Sequence, residues 1–529
     1  MDSKFDLTKG RLERARYEIK VRKINTLFAR KDYDKALNAA QKLLKKSPKQ
    51  PNLYNTVGEI YLSLNQIDHA IRSFKEALKL DANYSEGYFN LGSAFALKGQ
   101  TKEASTNFQK VIQLIPNSAD AYFNLGLLAQ QSAQLQNALK YFQKAVEFSH
   151  NIPEAHNNIG VILNRLNDPS GAVIAYKKAL SLLPESAEFH NNIGLAYEKL
   201  GELNLAKKSF ESAISNNPKI AEIFNNYGNT LLENGELTAA RQSYLKAFEL
   251  NASYTEAVWN LSGTATTISE HISLLENCLQ IDRDYYKAEL MLASIKAYLG
   301  DQRELNNLLE TPFRNHPYLR STIWLIGLKF KPQIHFNRWQ FYDSVSELTQ
   351  PTRPFYEFGV WRGASFKYLI KIYKQGYGFD TFTGIPESWA NLEKGSYSSQ
   401  GKVPKIKGGE FIAGHFDETL PSFFSKERPK ASVINIDSDL YTSAKSVLIH
   451  AQKIIDESTI IIFDEFLMND HWENDERKAL EEFCRETNMN FEVVAVSLFT
   501  KQVAVKVVKS LIRGDNSRAS NNKESFYEN

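Results

Sequence analysis

The chain has 529 residues, more than one hydrophobic core fills, so roughly two to four domains are expected. Apolar residues at 43% and charged residues at 24% exclude a wholly disordered chain, and 64 Lys+Arg against 61 Asp+Glu leave +3, which offers nucleic acid no basic surface. Two cysteines, Cys278 and Cys484, exclude a disulfide framework, and no apolar run is long enough for a membrane span or a secretory leader. A cytoplasmic protein is expected.

Residues 1–16 read as a lead-in helix. From residue 17 to about 317 the chain repeats itself. Gly58, Gly92, Gly126, Gly160, Gly194 and Gly228 fall 34 residues apart. Twelve residues after each stands an alanine: Ala70, Ala104, Ala138, Ala172, Ala206 and Ala240. Seven further on come Ala77, Val111, Ala145, Ala179, Ala213 and Ala247. A weaker copy with Ala36 and Pro48 precedes the series. Two degenerate units follow, near Thr255 and Lys287, with Leu274 where alanine is expected. Small residues at fixed places let paired helices approach, and a lone pair cannot bury its apolar face, so the units must stack as a solenoid. This pattern resembles the tetratricopeptide repeat family, whose period is 34 residues.

That resemblance places the sixth residue of each first helix on a concave groove. Here these are Asn90, Asn124, Asn158, Asn192, Asn226 and Asn260, with Thr56 in the first strong repeat. An amide both donates and accepts, so such a ladder suits an extended protein or peptide partner. It is similar to the asparagine ladder of O-GlcNAc transferases, but too little chain follows the repeats for their two nucleotide-sugar-binding halves. The second position is acidic, at Glu86, Asp120, Glu154, Glu188, Glu222 and Glu256, which complements a helix N-terminus and provides no clamp for a carboxylate tail.

Residues 318–350 are apolar-rich and partly helical in expectation. From 351 to 508 short β-type runs alternate with helices: strands at 355–358, 376–380, 410–413, 432–437 and 459–464, helices at 363–374, 442–456 and 475–487, and a terminal strand pair at 491–498 and 502–508. That order predicts an α/β doubly wound, Rossmann-like domain with a mostly parallel sheet. Residues 509–529 read as a polar, disordered tail. Three strands end in Asp380, Asp437 and Asp464, at the edge where open α/β sheets bind ligands. Glu357-Phe358-Gly359-Val360-Trp361-Arg362-Gly363 follows the first strand, and Asp380 ends the second, placed to accept from a ribose diol.

These segments, with 378–389, 414–421, 436–441 and 463–466, resemble class I S-adenosylmethionine-dependent methyltransferases, and among them the macrocin-type sugar O-methyltransferases. The resemblance implies that Glu357, Gly359, Gly363 and Ser365 hold the methionine part of the cofactor. It gives Asp380 the ribose and sets Gly414 and Phe416 beside the adenine, although Phe416 also reads as plain core. It implies a magnesium ion on Asp437, Asp464 and Glu465, where related chains often carry two aspartates. Asp439 is then the general base, or else the cap of the next helix. His471 follows the fifth strand and stands near the site or in solvent. The expected activity is methyl transfer to a sugar or glycan hydroxyl. Alternatives are a protein or peptide methyltransferase fed by the repeats, and a repeat scaffold whose cofactor domain has lost catalysis.

Overall fold

The computed structural model describes residues 2–388, 394–395, 397–399, 401–438 and 440–509, with backbone alone for 2–13. The expected polar tail from residue 510 on lies outside the described residues, as does Asp439. The chain divides into two compact units, Met1–Pro218 and Lys219–Asn529.

The first unit is helical throughout. Asp2–Ala29 and Tyr33–Leu44 lead into five pairs: Pro51–Ser63 with Ile67–Leu80, Ser85–Leu97 with Thr101–Leu114, Ala119–Gln131 with Leu135–Phe148, Pro153–Arg165 with Pro169–Leu182, and Ala187–Lys199 with Leu203–Asn216. The repeating alanines Ala70, Ala104, Ala138, Ala172 and Ala206 are fully buried, as small residues at helix contacts are. The repeating glycines serve a different contact. A Cβ on Gly126 would stand 2.6 Å from the Phe142 ring, and one on Gly160 2.6 Å from the Tyr176 ring. An aromatic ring of the second helix thus fills the space the glycine leaves in the first. Between the helices of each pair one residue turns left-handed: Asn65, Gly99, Ala133, Asn167 and Gly201.

The second unit begins with more of the same. Ala221–Glu233 pairs with Leu237–Leu250, Thr255–Ser262 with Ile268–Ile281, and Tyr286–Leu299 with Arg303–Leu309. Pro317–Ile326 and Arg338–Glu347 are the helices of the connecting segment. The α/β part follows, with strands β1 (Gln333–His335), β2 (Phe355–Phe358), β3 (Gly376–Asp380), β4 (Gly409–Ala413), β5 (Val433–Ile436), β6 (Ile460–Phe463), β7 (Met489–Ser497) and β8 (Gln502–Lys509). They form one sheet in the order β1-β7-β8-β6-β5-β2-β3-β4, parallel except for β8, which runs antiparallel to β6 and β7. This is the doubly wound fold the strand–helix alternation predicts. β2, β5 and β6 are buried at every residue, as strands covered on both faces must be. The connecting segment adds β1 at the edge, a strand too short for periodicity to reveal. β2 pairs with β3 on one side and β5 on the other, so the strand order reverses at β2 and opens a crevice at the carboxyl ends.

The last repeats pack on this sheet as part of one body. Trp259 meets Phe499 at 4.8 Å between ring centroids, and His271 stacks on Phe336 at 3.9 Å. Asn337 Nδ2 donates to the Gly263 carbonyl at 3.0 Å, Trp339 Nε1 to Leu232 at 2.5 Å and Gln340 Nε2 to Ala265 at 3.1 Å. No helix among the described residues is long and apolar enough to cross a membrane.

Candidate functional site

Glu357 lies in the middle of the sheet, fully buried on β2. Its Oε1 accepts from Ser365 Oγ and from Asn435 Nδ2 at 3.1 Å, while Oε2 is buried with no partner. Burial pushes its pKa up to about 8, against the pull of those two hydrogen bonds. Two more orphaned polar atoms, Asn435 Oδ1 and Ser438 Oγ, stand on β5 and just beyond it. Buried polar atoms are ordinarily satisfied, so orphaned groups here leave capacity for a polar ligand.

Directly after β2 the chain makes a loop that only glycine permits. Gly359 has φ +96°, and a Cβ there would run into the Asp437 carbonyl oxygen. That close approach lets β2 and β5 leave the sheet side by side. Gly363, at φ +76°, ends the loop as the N-cap of the helix Ala364–Tyr373. The first turn of that helix carries Ser365 to Glu357. A helix N-terminus leaves its first N–H groups without helical partners and favours negative charge on a ligand.

Asp380 closes β3. Its Oδ2 accepts from the Trp361 N–H at 2.6 Å and its Oδ1 from the Phe382 N–H at 2.6 Å. Burial raises its pKa and the backbone donors oppose that. Asp380 thus braces the loops that follow β2 and β3. Gly414, at φ +140°, donates its N–H to the Asp380 carbonyl at 3.0 Å. Phe416 opens the helix Phe416–Phe424 and is half-buried, edge-on to Phe358 at 5.9 Å. The residues expected around a cofactor therefore converge at the carboxyl ends of β2, β3 and β4. An orphaned carboxylate oxygen for an ammonium group, helix N–H groups for a carboxylate and Asp380 for a ribose fit S-adenosylmethionine. Asn435 joins the site without having been expected; its bond to Glu357 runs between strands distant in sequence.

The magnesium ligands expected at Asp437, Asp464 and Glu465 do not assemble as a metal set. Asp464 Oδ1 accepts from Gln502 Nε2, and its Oδ2 lies 3.8 Å from the Arg338 guanidinium. Glu465 Oε2 lies 3.0 Å from Lys501 Nζ, and the Glu465 N–H donates to Glu476 at 3.3 Å. Among the described residues no three carboxylate, imidazole or thiolate groups gather around one point. The two acids are already engaged by the chain's own cations, so the donor set as arranged does not fit a metal. His471 is exposed on the loop after β6. Asp439, the expected base, is outside the described residues.

In the repeats, all six expected groove asparagines are half-buried. Asn90 Nδ2 donates to Asn55 Oδ1 and Glu59 Oε1, each at 3.0 Å. Asn192 donates to Asn157 Oδ1 at 3.0 Å, and Asn260 to Asn225 at 2.9 Å and Asn229 at 3.2 Å. Asn124 turns to its own helix, bonding the Asp120 carbonyl at 2.8 Å. The acids at the second position join the same lattice: Glu86 accepts from Asn55 at 3.3 Å and Glu188 from Asn157 at 3.1 Å. The fifth-position residues Asn55, Asn157, Asn191 and Asn225 are buried. Their recurrence at 157, 191 and 225 was the available signal for this lattice.

The geometry defines a tetratricopeptide solenoid followed by a Rossmann-like methyltransferase domain. Family models agree with both parts. "TPR repeat" matches residues 58–99, 92–132 and 162–201, and "Tetratricopeptide repeat" matches 119–150 and 191–254. "Methyltransferase domain" matches 356–466, which implies use of S-adenosylmethionine. No curated protein matches the chain. Similar solved structures include the anaphase-promoting-complex tetramer Cut9–Hcn1 (19% identical, covering 46% of this chain and 48% of that one, TM-score 0.38). MamA is 28% identical over 32% of this chain and 92% of its own, with a TM-score of 0.30. YrrB, described as a TPR protein with an unusual peptide-binding site, is 24% identical over 34% of this chain and 93% of its own, with a TM-score of 0.31.

Proposed function

We propose that this protein is an O-methyltransferase acting on a sugar or glycan hydroxyl, with the repeats serving a protein or peptide partner. The observation that carries the methyl-transfer reading is the buried, unpartnered Oε2 of Glu357 beside the Gly359–Gly363 loop. In this reading Glu357 receives the α-ammonium of S-adenosylmethionine and Asp380 the ribose hydroxyls. Gly414 and Phe416 border the adenine. The bound cofactor supplies a methyl group on a sulfonium, already a good leaving group. The chain's own task is to align the acceptor oxygen with that methyl and to take its proton. Asp439, two residues beyond Asp437, is assigned the proton. Alignment contributes a large share of such a rate, since it replaces a bimolecular encounter by a positioned one. No step of this reading runs through a metal.

The choice of acceptor rests on the resemblance of the loop segments. It is tested with the full chain, methyl-labelled cofactor, and parallel panels of free glycans and peptides. Label in a carbohydrate as an alkali-stable ether is the expected product. Label confined to peptide as an alkali-labile ester would replace the sugar reading with protein methylation.

A further inference from the structure

Two acids at the end of β6 and just beyond it, Asp464 and Glu465, would repel one another and any neighbour of like charge unless positive charge stood beside them. The chain itself brings that charge from two places remote in sequence. Arg338 opens the helix Arg338–Glu347, and its guanidinium lies 3.8 Å from Asp464. Glu233 and Asp437 add to the negative charge around it. Arg338 is not there by chance of a long side chain. Asn337 caps the helix through the Gln340 N–H at 3.0 Å and ties it to Gly263, while Trp339 and Gln340 tie it to Leu232 and Ala265. The residues on either side of Arg338 are thus bolted to the last repeats. Lys501 sits in a left-handed turn, φ 65°, between β7 and β8, with Nζ 3.0 Å from Glu465. Gln502, fully buried, then bonds Asp464.

We propose that Arg338 and Lys501 are resident counter-ions that take the place of a divalent metal at the end of β6. Arg338 is a positioning residue, since it acts through Asp464 and makes the last repeats part of the site's charge balance. Asp464 and Glu465 each meet a cation, so an incoming divalent ion finds these two ligands engaged and two positive groups repelling it. The location of this charge balance at a methyl-transfer site rests on the proposed function; the charge balance itself does not.

The test is titration of the full chain with Mn²⁺, without cofactor, followed by electron paramagnetic resonance of the free ion. The wild-type chain is expected to show no saturable binding at millimolar Mn²⁺. The double variant Arg338→Met and Lys501→Met keeps an unbranched apolar stem at both places and removes both charges, so it is expected to gain a saturable site at least tenfold tighter than any residual wild-type binding. Should that variant fail to fold, Lys501→Met alone, at the more exposed cation, is expected to gain binding in the same direction. Saturable binding by the wild type that Asp464→Asn removes overturns the proposal, and so does a folded variant as inert as the wild type. Binding of S-adenosylhomocysteine is measured separately: its absence would defeat the methyltransferase reading and leave the Mn²⁺ result intact.

Discussion

Glu357 is ionisable, buried and half-satisfied, and its behaviour with pH follows from that. Its pKa in the folded chain is about 8, above the ordinary 4.5, so the folded state holds a proton that the unfolded state has released. The contribution to stability is complete below pH 4.5 and declines as pH rises through about 8. A cofactor ammonium needs the ionised carboxylate, so binding below pH 8 must release that proton. Affinity for S-adenosylhomocysteine is expected to rise about fivefold from pH 7 to pH 8, and the Glu357→Gln variant to bind weakly with no such slope, both read by calorimetric titration. Gly359 gives a second prediction. A Cβ would strike the Asp437 carbonyl and would sit at an unfavourable φ, so Gly359→Ala is expected to cost roughly 2–3 kcal/mol or more in urea unfolding. Gly359, Gly363 and Asp380 were legible in the sequence, because one loop after one strand carries them in a fixed order. Asn435 and Arg338 were not. Their partners are set by strand pairing and by a helix start pinned to a repeat, and neither leaves a local pattern.

Among the elements, the repeats show how a period converts into packing. Glycine and alanine spacing was enough to predict paired helices and their stacking. What the spacing hides is which ring fills which gap. Phe142 over Gly126 and Tyr176 over Gly160 are contacts within one repeat. Truncating Phe142 to alanine is expected to cost about 3–5 kcal/mol locally, visible as lost hydrogen-exchange protection in its own and adjoining repeats. The turn residues offer an opposite test. Ala133 is left-handed at φ 56° where other repeats place Gly or Asn. Ala133→Gly is expected to stabilise the unit by roughly 0.5–1 kcal/mol in the same unfolding assay. In the sheet, the nearly all-apolar strands β5 and β6 were plain in the sequence, as doubly covered strands are, with Asn435 the one polar residue of the two. β1 was hidden, since three residues at an edge take their direction from β7.

For the whole chain, the compact unit that contains the methyltransferase domain begins at Lys219, inside the repeats. The ties from Asn337, Trp339 and Gln340 to Gly263, Leu232 and Ala265 explain why. A fragment of residues 219–529 is expected to melt as one cooperative transition. A fragment of 318–529 loses those ties and uncovers Phe336, Trp339 and Phe499, so it is expected to melt lower or aggregate. The central claim, that this unit binds S-adenosylmethionine at the carboxyl ends of β2 and β3, is tested most directly by calorimetric titration of the full chain with S-adenosylhomocysteine. Saturable binding at one site per chain is predicted, weakened at least tenfold by Asp380→Ala. No binding, or an Asp380→Ala variant that binds as the wild type does, would contradict it.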